Sequence, residues 1–357
     1  MTIPLGQTNR QWRFAKRPKL GDPVSRDLFR LETGDVPQIG PDQMIVRTIC
    51  LATSPAQWGY LVHDNGMFQP LAIGDVMRGR GVGEVIQSRH ADFKTGDIVT
   101  ASLGWQDYSL QDPTKQPPNI KTILKVENPC RPLTLALGSL GVDGFAAYFG
   151  LLDIGKPQAG ETVVISAAAG GIGSVAGQIA KIKDCRVIGI AGSDEKCRWL
   201  TTDLGFDGAI NYKTENVGER LDMLCPDGMD VFFDNVGGDI LNDALAHLAL
   251  KARVVFCGYI STEYQPGIVP GPRNYTKLLS QRARLEGFIV FDYVDRFPEA
   301  EQQMRRWLIA GRLKNTEDVV EGLDAMPDAL ASLFTGGNKG NKIVRVAPDP
   351  NGLPSLS

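Results

Sequence analysis

The stretch from Thr162 to Lys183 constrains the chain more than any other. An apolar run, TVVIS (Thr162 to Ser166), leads directly into Ala167-Ala168-Ala169-Gly170-Gly171-Ile172-Gly173-Ser174 and then into a segment of helical length. This strand–turn–helix carries A-x-x-G-x-x-G, a variant of the dinucleotide fingerprint. Its glycines let backbone approach a pyrophosphate, and the helix N-terminus supplies N–H donors and partial positive charge. A plain small-residue turn is the competing reading of such a pattern. The context favours the dinucleotide, because the same rhythm continues downstream. Strand-like runs at Arg186 to Ile190, Gly208 to Tyr212, Asp230 to Asp234, Arg253 to Cys257 and Glu286 to Val290 alternate with helical stretches at Asp194 to Leu204, Thr214 to Leu224 and Asp239 to Leu250. Such alternation predicts a doubly wound parallel sheet.

Charge at the end of the second of these strands bears on which dinucleotide fits. An NAD site places an acid there to accept from the ribose 2′-hydroxyl. Here the strand ends Ile190-Ala191-Gly192-Ser193, with no acid at its tip. Asp194 and Glu195 follow, but they suit the first turn of a helix capped by Ser193. Lys196 comes next, placed to meet a 2′-phosphate or simply to stand as an exposed helix lysine. The missing acid favours NADPH.

Before residue 135 the pattern differs. Met44 to Ala52, Gly81 to Ser88 and Phe93 to Ser102 read as short strands, punctuated by Pro37, Pro41, Gly66, Pro70, Gly74 and Gly96. A β-rich, partly closed sheet is expected. After a helix expected over Arg296 to Ala310, a mixed tail ending in Ile343 to Val346 should rejoin this first part. Lys plus Arg total 38 against 41 acids, a net charge of −3, unlike a strongly basic nucleic-acid or membrane binder. The amino-terminal residues lack a signal-like apolar stretch and no long apolar span follows, so a cytoplasmic protein is expected. The six cysteines include no C-x-x-C pair, and the three histidines stand apart from other ligand types, which disfavours a metal site or a histidine-based hydrolase.

Several longer stretches occur together and in order: NRQWRFAKRP, VMRGRGVGEV, AYFGLLDIGKPQAGETVVISAAAGGIGS, LGFDGAINYK, DVFFDNVGG, CGYIS, GPRNY and EGFIV. Through them nearly the whole chain resembles the zinc-independent medium-chain dehydrogenases/reductases of the alkenal double-bond reductase group. The resemblance implies a Rossmann domain over 136–311 and a GroES-like substrate domain split between 1–135 and 312–357. It also implies bound NADPH, a small-molecule enone or enal substrate, and a homodimer. The implied activity is reduction of a C=C bond conjugated to a ketone or aldehyde, by hydride delivery to the β-carbon. Negative charge then grows on the carbonyl oxygen, which needs a hydrogen-bond donor. An NADPH:quinone reductase and a non-catalytic NADPH-binding sensor are the alternatives.

Carried onto matching positions, the resemblance assigns Gly170, Gly171, Ile172 and Gly173 to the pyrophosphate. Lys196 and Tyr212 go to the 2′-phosphate end. Asn235, the turn Cys257, Gly258, Tyr259, Ile260 and Ser261, and the segment Phe288, Ile289 and Val290 go to the ribose and nicotinamide, and Asn338 would close over the cofactor. Asn235 could instead merely form a turn, and Phe288 to Val290 could be plain core strand. The family's tyrosine after C-G-x-I-S is displaced by one residue here, to Tyr264, the candidate donor, with the cofactor ribose or water as substitutes. Trp105 and Tyr108 match family pocket residues, with core packing as the competing role. Trp58 and Tyr60 stand where the family has a different turn, and with Met67 and Phe68 they would reshape the substrate mouth. Asn341 stands where a lysine is usual.

Overall fold

The computed structural model describes residues 7–62, 69–116, 121–263 and 269–356. The chain forms two units, dividing at Gly138/Ser139 and Thr316/Glu317, against 135/136 and 311/312 from the sequence. Residues 338–340 belong to the second unit, although the chain on either side of them belongs to the first.

In the first unit, β1 (Thr8–Phe14) pairs antiparallel with β2 (Phe29–Asp35). The main sheet uses β3 (Met44–Ala52), β4 (Arg80–Ser88), β5 (Ile98–Ser102), β6 (Tyr108–Gln111) and β7 (Leu124–Lys125), with helix α1 (Ala56–Val62) between β3 and β4. Central β3 is buried along almost its whole length because strands flank it on both sides. The tail supplies the rest, after the chain has built the second unit's sheet. Its strand Asn341–Arg345 pairs antiparallel with β3, and its strand Glu317–Glu321 pairs parallel with that one. Ile49, Val82, Ile98, Leu133 and Ile343 close this core.

The second unit begins with α2 (Val142–Phe149) and continues β8 (Thr162–Ile165), α3 (Gly171–Ile182), β9 (Arg186–Ala191), α4 (Asp194–Thr202), β10 (Gly208–Asn211), α5 (Val217–Leu224), β11 (Met229–Asp234), α6 (Gly238–Ala246), β12 (Leu248–Phe256), α7 (Ile260–Glu263), α8 (Lys277–Gln281), β13 (Arg284–Gly287) and α9 (Phe297–Ile309). Its strands are parallel and ordered β10-β9-β8-β11-β12-β13, the doubly wound Rossmann arrangement. Val164, Ile188, Ile210, Phe232 and Val254 form the sheet's contribution to a core that Leu221, Leu241 and Leu245 cover from the helices. Each such fully buried side chain contributes about 1.5 to 3 kcal/mol.

Several boundaries depart from the sequence reading for local reasons. Helix α5 starts at Val217, not Thr214, because the Asn216 side chain accepts from Glu219 N and caps it there. The strand expected over Glu286 to Val290 ends at Gly287. Phe288 leaves the sheet and lies against Gly150, where a Cβ would stand 2.8 Å from its ring. Ile289 is exposed, and Val290 opens a short 3-10 helix, so the core-strand reading of this segment is corrected. Among the described residues, no helix is long and apolar enough to cross a membrane.

Candidate active site

Strand β8 has β9 on one side and β11 on the other, so the order of strands reverses between β8 and β11. Ligands of open α/β sheets bind beyond the carboxyl ends of strands at such a switch point. Residues after β8 fit this role. Helix α3 is N-capped by Gly170, which offers no side chain, so no side chain caps its first turn. Gly173 lets the helix close on the loop, because a Cβ there would lie 2.4 Å from the Ala167 carbonyl oxygen. The loop is pinned by Ala168 N donating to Ile190 O at 3.0 Å and Gly170 N donating to Ala167 O at 2.9 Å. An uncapped helix terminus with a glycine cradle suits a pyrophosphate.

At the end of β9, the Ser193 hydroxyl accepts from Lys196 N at 3.2 Å, the cap expected from sequence. Lys196 itself is half-buried. Tyr212 lies over Gly192: a Cβ on that glycine would stand 3.0 to 3.1 Å from the phenol, with Lys213 Cε at 3.3 Å. Gly192 and Tyr212 thus meet past the end of β9, with Lys196 in the first turn of α4 that follows. Asp194 is drawn aside, its carboxylate accepting from Asn211 Nδ2 at 2.6 Å.

The end of β11 is organised by Asp234, a fully buried carboxylate. It accepts from Ser166 Oγ at 2.8 Å, from Val236 N at 3.0 Å and from Gly237 N at 3.1 Å. Burial pushes this carboxyl above its ordinary value, opposed by the backbone donors of Val236 and Gly237 and by Ser166. Asn235 is tied to the same serine, its N–H to Ser166 Oγ and its Nδ2 to Ser166 O, each at 2.8 Å. The Cys257 to Ser261 turn docks on this loop: Cys257 N and Gly258 N donate to Asp234 O, and Ser261 N and Oγ donate to Val236 O. Tyr259 stacks on Phe256, with ring centroids 6.2 Å apart. Burial pushes the Cys257 thiol up to about 12, which leaves it protonated and no nucleophile.

Residues 338–340 lie on the glycine loop, with Gly340 N donating to Ala169 O at 2.8 Å. Asn338 closes this short turn through Nδ2 to Gly340 O at 2.9 Å. Asn341 is buried in the first unit and donates to Leu137 O at 3.0 Å, so its side chain has a packing partner there. The candidate donor Tyr264, like Met67 and Phe68, lies outside the described residues.

The aromatic candidates for the substrate mouth, Trp58, Tyr60, Trp105 and Tyr108, sit in the first unit. Trp58 and Trp105 are buried, the former 6.2 Å from the Phe334 ring and the latter 4.9 Å from the Phe29 ring. Tyr108 is also buried, its hydroxyl accepting from Gln7 Nε2. Half-buried Tyr60 receives the Arg78 guanidinium 5.3 Å from its ring centre.

Sequence reasoning passed over Ser166 and Asp234 as organisers of the site. The available signal was an ionisable residue at the end of the otherwise apolar run Val231 to Phe233, which burial makes costly unless donors await it. Among the described residues, no group of three or more His, Cys, Asp or Glu is arranged to hold a metal ion.

Two family models match: the N-terminal domain of oxidoreductase over residues 10–118 and a zinc-binding dehydrogenase model over 171–306. The chain is 42% identical to a putative NADP-dependent oxidoreductase, YfmJ, of Bacillus subtilis, covering 96% of this chain and 99% of that protein. It is 38% identical to the NADPH-dependent curcumin reductase of Escherichia coli, covering 96% and 98%. The crystal structure of CurA from Vibrio vulnificus in complex with NADPH superposes with a TM-score of 0.86 at 37% identity, covering 96% of this chain and 100% of that one. With its split β-rich unit, its doubly wound sheet and these full-length relatives, the chain belongs to the alkenal double-bond reductase group of the medium-chain dehydrogenases/reductases.

Proposed function

We propose that the protein is an NADPH-dependent oxidoreductase that reduces the C=C bond of α,β-unsaturated ketones and aldehydes. The observation that carries this reading is the uncapped first turn of α3 beside the Ser166–Asp234–Asn235 network at the sheet's switch point. When bound there, the dinucleotide would supply the hydride for the β-carbon. Water would supply the proton for the α-carbon, and the chain's own groups bind, orient and stabilise. Backbone N–H groups of Gly171, Ile172 and Gly173 hold the pyrophosphate, while Lys196 and Tyr212 receive the 2′-phosphate. Asn235, the Cys257–Ser261 turn, Phe288 to Val290 and Asn338 position the ribose and nicotinamide. Tyr264 donates to the carbonyl oxygen as charge grows on it, an interaction strongest in the transition state. Half-buried Tyr60 is the aromatic candidate left to offer surface to the substrate's carbon skeleton, because Trp58, Trp105 and Tyr108 are buried in the packing of the first unit.

The test is to mix the protein with NADPH and a panel of enones, enals and quinones while following absorbance of the reduced cofactor. Oxidation with enones and enals, and saturated carbonyl products by mass spectrometry, is the expected result. Turnover with quinones alone would replace the reading by quinone reduction, and tight binding without turnover by a sensor role.

A homodimer belongs to the same reading. It is supported by edge strand β13, exposed along all four residues, with Leu285, Ile289 and Leu279 uncovered beside it at 39%, 41% and 84% exposure. An uncovered edge of this kind is a template for pairing. Sedimentation equilibrium should return twice the chain mass, and a monomer at micromolar concentration would remove this part of the proposal.

A further inference from the structure

Helix α4 opens with Asp194 and Glu195, directly past the tip of β9, where the proposed cofactor would carry its 2′-phosphate. Carboxylates there oppose a phosphate, yet both are engaged. Asp194 is held by Asn211. Glu195 Oε1 lies 3.0 Å from Lys339 Nζ, and that ammonium also stands 5.7 Å from the Trp199 ring centre. Lys339 reaches α4 because its neighbour is fixed. Gly340 forms a parallel bridge with Gly170 and donates to Ala169 O. It has φ +73°, and a Cβ there would lie 2.2 Å from the Thr316 carbonyl oxygen, so no other residue type fits the path. One short segment therefore meets the pyrophosphate loop through its backbone and the α4 acid through its side chain.

We propose that Lys339 is a specificity-determining residue: by pairing with Glu195 it neutralises a carboxylate beside the ribose 2′ position and lets α4 accept a phosphorylated dinucleotide. The inference rests on the cofactor reading above. Lys339 acts through Glu195, and the sequence reading of the missing acid at β9 is thereby extended to the acids that are present. The Glu195 side chain is 73% exposed, so solvent and salt screen the pair. Restoring one negative charge to α4 beside a phosphate dianion weakens binding about 5- to 10-fold in water-like surroundings.

The experiment titrates the full chain calorimetrically with NADP⁺ and, separately, NAD⁺, in low salt and in about 0.5 M salt. It compares the parent with Lys339→Gln, Glu195→Gln and the double variant, all checked for unchanged thermal melting. Lys339→Gln should weaken NADP⁺ about 5- to 10-fold and NAD⁺ less than about 2-fold, with the difference shrinking in high salt. Adding Glu195→Gln should return NADP⁺ affinity to within about 2-fold of the parent. Equal weakening of both nucleotides, no weakening, or no rescue by Glu195→Gln would each overturn the proposal. A parent that binds neither nucleotide would bring down the cofactor reading itself. A parent that binds NADP⁺ with Lys339→Gln unchanged would remove only this inference.

Discussion

Replacing Gly173 by alanine should weaken NADPH binding about 100-fold or more and lower stability by about 1 to 3 kcal/mol. On helix propensity alone the substitution would stabilise, since alanine gains about 1 kcal/mol over glycine in a helix interior. Contact geometry reverses that sign. The new Cβ would stand 2.4 Å from Ala167 O, 2.9 Å from Ala168 Cα and 3.0 Å from Ala167 C, all backbone atoms that cannot rotate away. Helix α3 must then shift from a loop that is itself pinned to β9 and to Gly340. A shift of this kind misaims the first-turn N–H groups. Losing two charge-assisted hydrogen bonds at about 1.5 kcal/mol each accounts for the factor of about 100. Calorimetric titration and thermal melting read both effects. A variant that melts higher and binds NADPH normally would mean that the loop does not hold the pyrophosphate.

Asp234→Ala should cost about 3 kcal/mol or more of stability and weaken NADPH binding as well, although its side chain is assigned no contact with the cofactor. Removing the carboxylate strands the Ser166 hydroxyl and the N–H groups of Val236 and Gly237, and each buried orphan costs about 1 to 3 kcal/mol. The loop so released carries Asn235 and supports the Cys257–Ser261 turn, which explains the expected loss of affinity. Asp234→Asn should fall between variant and parent: its oxygen can still accept, but its amide N–H groups meet the Gly237 N–H. The pH dependence follows from burial. A carboxyl raised in the folded chain binds its proton more tightly than in the unfolded chain. Its contribution to stability is therefore fully present below the unfolded carboxylate range and declines as pH rises through the raised value. Asp234→Asn should remove that decline. Denaturant unfolding across pH measures both, and an Asp234→Ala protein within about 1 kcal/mol of the parent would refute the organising role.

Both substitutions act where local pattern and long-range packing meet, and the two kinds of information separate cleanly in this chain. The doubly wound sheet, the glycine turn and the Ser193 cap were legible in the sequence, because periodicity, turn chemistry and capping depend on residues within a few positions of one another. The return of the tail to the first unit was legible too, from a strand-like run left over after the alternating pattern ended, whereas its pairing with β3 was not. Partners distant in the chain were not legible: Asp234 with Ser166, Glu195 with Lys339, Phe288 with Gly150. Each of those side chains taken alone fits an ordinary surface or core position. Only the folded chain decides which buried carboxylate meets its donors and which surface carboxylate meets a cation, because desolvation and pairing are properties of neighbours in space.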